Sequence, residues 1–181
     1  MARPEPIAAR RVFQGYAISL DVEDWALGYD VEVVRHVGAA GVLPVTPGGE
    51  VLLVKQFRPA VRQELTEIPA GLLDVDGEDA LTCAQRELLE ETGFRHRGIE
   101  FLGGYFASPG FTDEYVHVFW ALVDPEPAGQ PEDGITLVRR PLVQMLAAAR
   151  AGRVRDIKTA FALLVAGSRP DLLAAAGVPS A

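Results

Sequence analysis

The sequence predicts an α+β sandwich, a mixed β-sheet held between helices, preceded by a small N-terminal antiparallel β subdomain. Three observations carry that expectation. β-branched and aromatic runs lie on both sides of one internal helical pattern, further helical patterns are confined to the C-terminal end, and glycines separate residues 1–38 from residues 39–181. With 181 residues, 49% of them hydrophobic, the chain is long enough for one globular domain with a sizeable core and a small appendage.

Residues 10–37 read as strands: 12–13, 16–20 and 31–34 are rich in β-branched and aromatic side chains, and Gly15 and Gly28 break them. So small a piece buries too little apolar surface to stand alone, so it must pack on the rest of the chain or on another subunit. Residues 42–45 and 51–54 form a hairpin around Pro47-Gly48-Gly49, and the apolar run of the second strand implies burial on both faces. The clearest helix spans 79–92, with an apolar stripe of Ala80, Leu81, Cys83, Ala84 and Leu88 and with Glu87, Glu90 and Glu91 largely off it. Acids at its start suit the helix dipole, and Gly93 fits a left-handed C-cap. Strands follow at 99–106 and 115–123, then a Pro-, Gly- and acid-rich loop at 124–134 and a short strand at 135–138. Helices at 141–151 and 157–165, with a weaker one in the tail, close the chain.

A formal net charge of -8 argues against a nucleic-acid partner, whose phosphates need clustered Lys and Arg. A small anionic substrate remains compatible, because a bound metal reverses the local field. The single cysteine, Cys83, allows no intrachain disulfide and reads as a buried apolar residue of the helix. Residues 1–6 lack the apolar core of a signal peptide, and no stretch approaches the roughly 20 apolar residues that span a bilayer. The expectation is a soluble, cytoplasmic protein without a membrane partner.

The chemistry concentrates in Arg86-Glu87-Leu88-Leu89-Glu90-Glu91-Thr92-Gly93-Phe94. At 3.6 residues per turn Glu87 shares a helix face with Glu90 and Glu91. Three like charges on one face repel, and a merely solvated helix would intersperse lysines among them. Hard divalent cations want several oxygen ligands and bridge to substrate phosphates. With Gly71 and Glu78 upstream the run reads G-x6-E-x7-R-E-L-L-E-E-T-G-F. It resembles the Nudix box, G-x5-E-x7-R-E-U-x-E-E-x-G-U with U aliphatic or aromatic, with one extra residue after the glycine.

That resemblance implies the Nudix α/β/α sandwich and hydrolysis of a nucleoside diphosphate linked to another group. Such chemistry must neutralise the diphosphate, orient a water and deprotonate it, and carboxylate-held Mg2+ serves the first two needs, with Mn2+ or Zn2+ as alternatives. By the same resemblance Glu87 and Glu91 are the principal metal ligands, Glu90 assists, and the main-chain oxygen of Ala70 is a further ligand. Arg86 is expected to pair with an acid, Glu78 being the candidate, and the extra residue within 72–77 to bulge outward. Gly71 is expected to provide the sharp turn that aims the Ala70 carbonyl.

A second run, Ser108-Pro109-Gly110-Phe111-Thr112-Asp113-Glu114, places Pro109 fifteen residues beyond Phe94. With Gln56-Phe57-Arg58-Pro59 and Glu67-Ile68-Pro69-Ala70-Gly71, it resembles the ADP-ribose pyrophosphatase subfamily over residues 32–138. The resemblance implies that Arg58 holds a substrate phosphate, as its planar guanidinium suits. It makes Glu67 a contact of substrate or outer-shell metal, puts Ser108 and Gly110 on the distal ribose, and brings Glu114 near the diphosphate. The general base is expected on the 125–134 loop as Glu132 or Asp133. An aromatic platform for adenine is expected from Tyr16, Trp25 or Tyr29; Tyr16 reads as core, and Trp25, the preferred candidate, as an exposed hairpin residue. The N-terminal strands are expected to exchange across a two-fold homodimer. His36, His96 and His117 show no ligand spacing and are given no catalytic role.

Overall fold

Two sheets organise the computed structural model, which describes residues 4–179. The reading of residues 1–3 as free of a leader lies outside the described residues. The first sheet is antiparallel and holds β1 (Ala8–Gln14), β2 (Ile18–Asp24) and β3 (Asp30–His36) in that order. Its β2 buries Ser19, Asp21 and Glu23 on one face, so the covered side is polar. Arg11 and Arg35 answer those acids: Arg11 Nε lies 2.8 Å from Asp21, and Arg35 contacts Asp21, Glu23 and Asp113. Tyr16 departs from expectation. It lies just before β2, 84% exposed, with its hydroxyl donating to Asp74 at 2.6 Å, because the strand begins at Ile18 and leaves the ring on the turn.

The larger sheet runs β10-β5-β4-β9-β8, from β4 (Ala39–Val45), β5 (Glu50–Arg58), β8 (His96–Phe106), β9 (Tyr115–Val123) and β10 (Thr136–Pro141). It is mixed, as expected: β4 and β9 are parallel and the other pairs antiparallel. The expected hairpin forms at its turn, where Val45 pairs with Val51, but then the two strands part. Beyond the turn β5 pairs with β6 (Gln63–Glu67), and the start of β4 pairs with β7 (Ala70–Leu72). Sequence reading missed β6 and β7. That parting opens the sheet and leaves room for a cleft between β5, β6 and β7.

Helix α1 (Ala80–Thr92) covers one face, where Cys83, Ala84, Leu88 and Phe94 pack on Val42, Leu52 and Phe119. The other face, with Leu43, Leu53 and Trp120, is covered by α2 (Leu142–Arg150), α3 (Ile157–Gly167) and α4 (Pro170–Ala175). Burial on both faces accounts for the continuous apolar runs of β4 and β5. The predicted α/β/α sandwich is therefore the observed one. Among the described residues no helix is long and apolar enough to cross a membrane.

Candidate active site

Helix α1 has the boundaries its local chemistry dictates. The Asp79 side chain accepts from Thr82 N–H at 2.8 Å, and Gly93, at φ 76°, donates its N–H to Leu89 O at 2.8 Å. Gly93 has a second reason to be glycine, since a Cβ there would stand 2.5 Å from Gly129 O. One line of side chains along α1 then meets β7 at successive points. Cys83 Sγ lies 3.4 Å from Leu72 O, the Glu87 carboxylate presses on Gly71, and Glu91 Oε2 accepts from Ala70 N–H at 2.9 Å. Residues 83, 87 and 91 are four apart, so all three share one face. Two of the acids thought to lie off the buried stripe are therefore on it: Glu87 is 9% and Glu91 6% exposed, and only Glu90 remains at the surface. Strand β7 causes this by lying over the helix edge.

Gly71 also differs from expectation in its reason. It holds ordinary strand backbone, without a left-handed φ, so no sharp turn needs it. What needs it is Glu87: a Cβ on Gly71 would fall 1.8 Å from Glu87 Oε1. The Ala70 carbonyl is aimed by the ladder itself. Val42 N–H donates to Pro69 O and Leu73 N–H to Gly38 O. By antiparallel alternation Ala70, paired with Gly41, turns its N–H and C=O away from β4.

Arg86 binds Glu78 through two hydrogen bonds of 2.9 and 3.0 Å, and its Nη1 reaches Glu87 at 2.5 Å and Glu90 at 3.1 Å. The expected Arg86–Glu78 pairing is thus present despite the extra residue before Glu78. Burial pushes the Glu91 carboxyl up to about 7, against the Ala70 N–H that lowers it, and the Glu87 charge raises it further. Glu87 is likewise raised, first by burial, with Arg86 opposing. Two buried carboxylates thus lack full charge compensation from the protein, as a cation site requires. Their oxygens and the outward Ala70 carbonyl make a hard donor set that fits Mg2+. Among the described residues no three acidic, His or Cys side chains converge on one point, since Glu90 is drawn to Arg86. Cys83 takes no part, because burial pushes its thiol up to about 12.

Beside β7 lies a cleft of about 640 Å3 whose lining includes Arg58, Glu67, Ala70, Gly71, Glu114 and Lys158. Arg58 donates to Glu67 through Nε (2.8 Å) and Nη2 (2.7 Å), and among the described residues Nη1 has no partner. Both oxygens of Glu67 are taken, by Arg58 and by Lys158, and its side chain is 1% exposed. Burial alone would raise its carboxyl, but the two cations outweigh burial and hold it below the usual range. Lys158, from α3, is a member that sequence reading did not find.

The remaining predicted residues divide. Trp25 and Gly110 line a second cleft of about 550 Å3, between the N-terminal sheet and the 109–113 turn. Trp25 is half-buried, with its indole donating to Glu23 at 2.9 Å. Ser108 lines neither cleft; its carbonyl accepts from Phe111 and Thr112 N–H. The 125–134 loop is bound to the end of α1: Ala128 and Gly129 N–H donate to Gly93 O, and Glu132 N–H to Glu90 O at 2.9 Å. The charge of Glu132 is close enough to help raise the Glu87 carboxyl. Asp133 is exposed on the same loop.

Comparison with known proteins agrees with this geometry. The NUDIX domain family model matches residues 35–161. The chain is 36% identical to the ADP-ribose pyrophosphatase of Bacillus subtilis (strain 168) over 165 residues, 87% of this chain and 89% of that one. It is 34% identical to the GDP-mannose pyrophosphatase of Cronobacter sakazakii over 153 residues, 74% of this chain and 79% of that one. A solved structure of an ADP compounds hydrolase matches with TM-score 0.73 over 93% of this chain and 94% of that one, a likeness of fold at 19% identity. With the box helix folded against its glycine strand and a family match of this breadth, the chain belongs to the Nudix family and is one of its hydrolases.

Proposed function

We propose that this hydrolase splits ADP-ribose into AMP and ribose 5-phosphate with Mg2+, for which Mn2+ or Zn2+ can substitute. The observation that carries the reading is the pair of buried, undercompensated carboxylates Glu87 and Glu91 against Ala70-Gly71, at the edge of the Arg58 cleft. Glu87, Glu91 and the Ala70 oxygen would hold the ion, with Glu90 joining once it leaves Arg86. Bound there, the cation supplies charge neutralisation for the diphosphate. Arg58 orients a phosphate through its Nη1. Glu132 takes the proton of the attacking water, whose oxygen forms the new bond to phosphorus while the bridging oxygen leaves. Glu132 is preferred to Asp133 because it is tied to Glu90 and its charge reaches Glu87.

ADP-ribose is supported by the 108–114 run and by the Bacillus subtilis relative. The GDP-mannose pyrophosphatase relative supports a second reading, the same cleavage on another nucleotide sugar. We further propose a cytoplasmic homodimer in which residues 1–38 exchange between subunits and residues 39–181 form the catalytic domain. Strand β1 is exposed along its whole length, and Trp25 and Gly110 lie in a cleft apart from Arg58 within one chain. A partner bringing the second cleft to the first would complete the site. Light scattering should then give twice the chain mass; a monomer removes the exchange.

The test of function is incubation with Mg2+ and ADP-ribose, GDP-mannose or NADH, with products resolved by chromatography. AMP and ribose 5-phosphate should form fastest from ADP-ribose and vanish with EDTA. Faster cleavage of GDP-mannose moves the substrate to the second reading. Tight ADP-ribose binding without cleavage of any substrate makes the chain a sensor instead.

A further inference from the structure

A third cavity, of about 420 Å3, lies between β6 and the connection from α2 to α3. Its size is that of small-ligand sites, about 300–1,000 Å3. It shares Leu65 and Asp156 with the Arg58 cleft, and these two residues divide one space from the other.

Arg153 and Arg155 stand in its lining, on a connection that is fixed along its length. Helix α2 closes in a left-handed cap: Gly152, at φ 66°, donates its N–H to Ala149 O at 3.0 Å, and Arg153 N–H donates to Ala148 O at 2.9 Å. Val154 packs against the main core. Asp156 then caps α3 by accepting from Thr159 N–H at 2.9 Å. Two exposed arginines are thus carried on a backbone held at both ends and in the middle, which lowers the cost of ordering them around a ligand.

The charges of the lining do not cancel, although it holds two acids. Asp156 is taken by Lys158 at 2.9 Å and by Thr159, and Glu64 pairs with Lys55 at 2.5 Å. Among the described residues neither guanidinium has a carboxylate partner, and Arg155 donates to Gln63 Oε1 at 3.3 Å. With its oxygen used in that way, Gln63 keeps its amide nitrogen as a donor, and Thr66 adds a hydroxyl. Leu65, Met145 and Val154 supply apolar wall. In a chain of net charge -8 this is a local excess of cationic donors beside a small apolar surface.

We propose that Arg153 and Arg155 form an anion site apart from the active cleft, which takes a small phosphate monoester. A phosphate monoester is close to a dianion above its second pKa of about 6 and offers three acceptor oxygens. Planar guanidinium forks match that geometry, whereas a carboxylate brings one charge and two oxygens. The apolar wall accommodates the organic part of the ester. The site does not depend on which nucleoside diphosphate the active cleft cleaves.

The test uses the full metal-free chain and ribose 5-phosphate, followed by calorimetry. Wild type should show a class of site that R153Q/R155Q lacks or binds about ten-fold more weakly, as loss of charged hydrogen bonds implies. Both side chains are exposed, so the variant should melt as wild type does. Acetate and ribose should not displace the ester. In hydrolysis the variant should keep the wild-type kcat and KM. Identical ribose 5-phosphate binding by wild type and variant overturns the proposal, as does displacement by acetate. A raised KM would place the arginines in the active cleft and overturn it as well. A chain that cleaves no nucleoside diphosphate would sink the functional reading alone, since this binding is measured without turnover.

Discussion

Replacing Gly71 by alanine should uncouple stability from activity, and the size of the effect follows from one contact. A Cβ at position 71 would lie 1.8 Å from Glu87 Oε1, against the 3.0 Å below which Cβ contacts essentially never occur. The carboxylate must therefore move by at least 3.0 − 1.8 = 1.2 Å. The atom it meets is the end of a flexible side chain, and Gly71 has strand backbone that alanine adopts freely, so the fold has little reason to suffer. Catalysis has every reason to suffer, because misplacement of a reacting group by about 1 Å can cost about 100-fold in rate. Gly71→Ala should thus lower kcat for ADP-ribose by about 100-fold while Tm stays within about 4 °C, the shift expected of about 1 kcal/mol in a chain of this size. Initial rates over a range of Mg2+ and a thermal melt measure both. Near-normal turnover would mean that Glu87 does not work where it stands, and collapse of the melt would mean that the glycine serves the fold instead.

Other perturbations probe the rest of the site. Glu91→Gln should reduce turnover by more than the roughly 100-fold typical of outer-shell partners of a metal, without unfolding the chain; Mg2+-dependent activity close to wild type refutes the assignment. The same carboxyl gives a pH signature in EDTA. Its folded-state value of about 7 exceeds the ordinary 4.5, so the unfolded chain loses this proton first. Metal-free stability should therefore fall as pH rises from about 4.5 to about 7, and Glu91→Gln should flatten that fall in melts against pH. Glu132→Gln should cost about 10²–10⁴ in kcat, whereas Asp133→Asn should change it only a few-fold; the reverse ranking would move the base to Asp133. Among the described residues the buried Tyr105 hydroxyl has no partner, so Tyr105→Phe should gain up to about 1–3 kcal/mol in urea unfolding. A loss would show that the hydroxyl is satisfied in solution.

What the sequence made legible were the features written in local chemistry. Asp79 and Gly93 mark the ends of α1, and the apolar, aromatic run 115–123 has the bounds of β9, because caps and strand propensity are set by near neighbours. The α/β/α layering followed from the order of those patterns. Strands β6 and β7 were invisible for the opposite reason. Gln63–Glu67 is polar and mostly exposed, and Ala70–Leu72 is only three residues long, so their strand character comes from pairing with β5 and β4 and not from any period of their own. Tyr16 misled because β-propensity describes a strand and its ring stands outside one.

The same division runs through the site. The box supplied Glu87, Glu90 and Glu91 by spacing, but only β7 shows why two of them are buried and one is not, since Cys83, Glu87 and Glu91 lie on the line that β7 covers. Burial is what raises their carboxyls, so the demand for a cation is a tertiary property laid over a local motif. Lys158 is the limiting case. Its partner Glu67 is 91 residues away, and a lysine in the first turn of a helix, where the dipole disfavours it, carries no sequence signal of a site. Its position is explained by the acids it meets there: Asp156 ahead of it caps the helix, and Glu67 reaches it from β6. A residue placed against its local preference and held by part-buried Asp156 and buried Glu67 owes its place to partners that only the fold brings together.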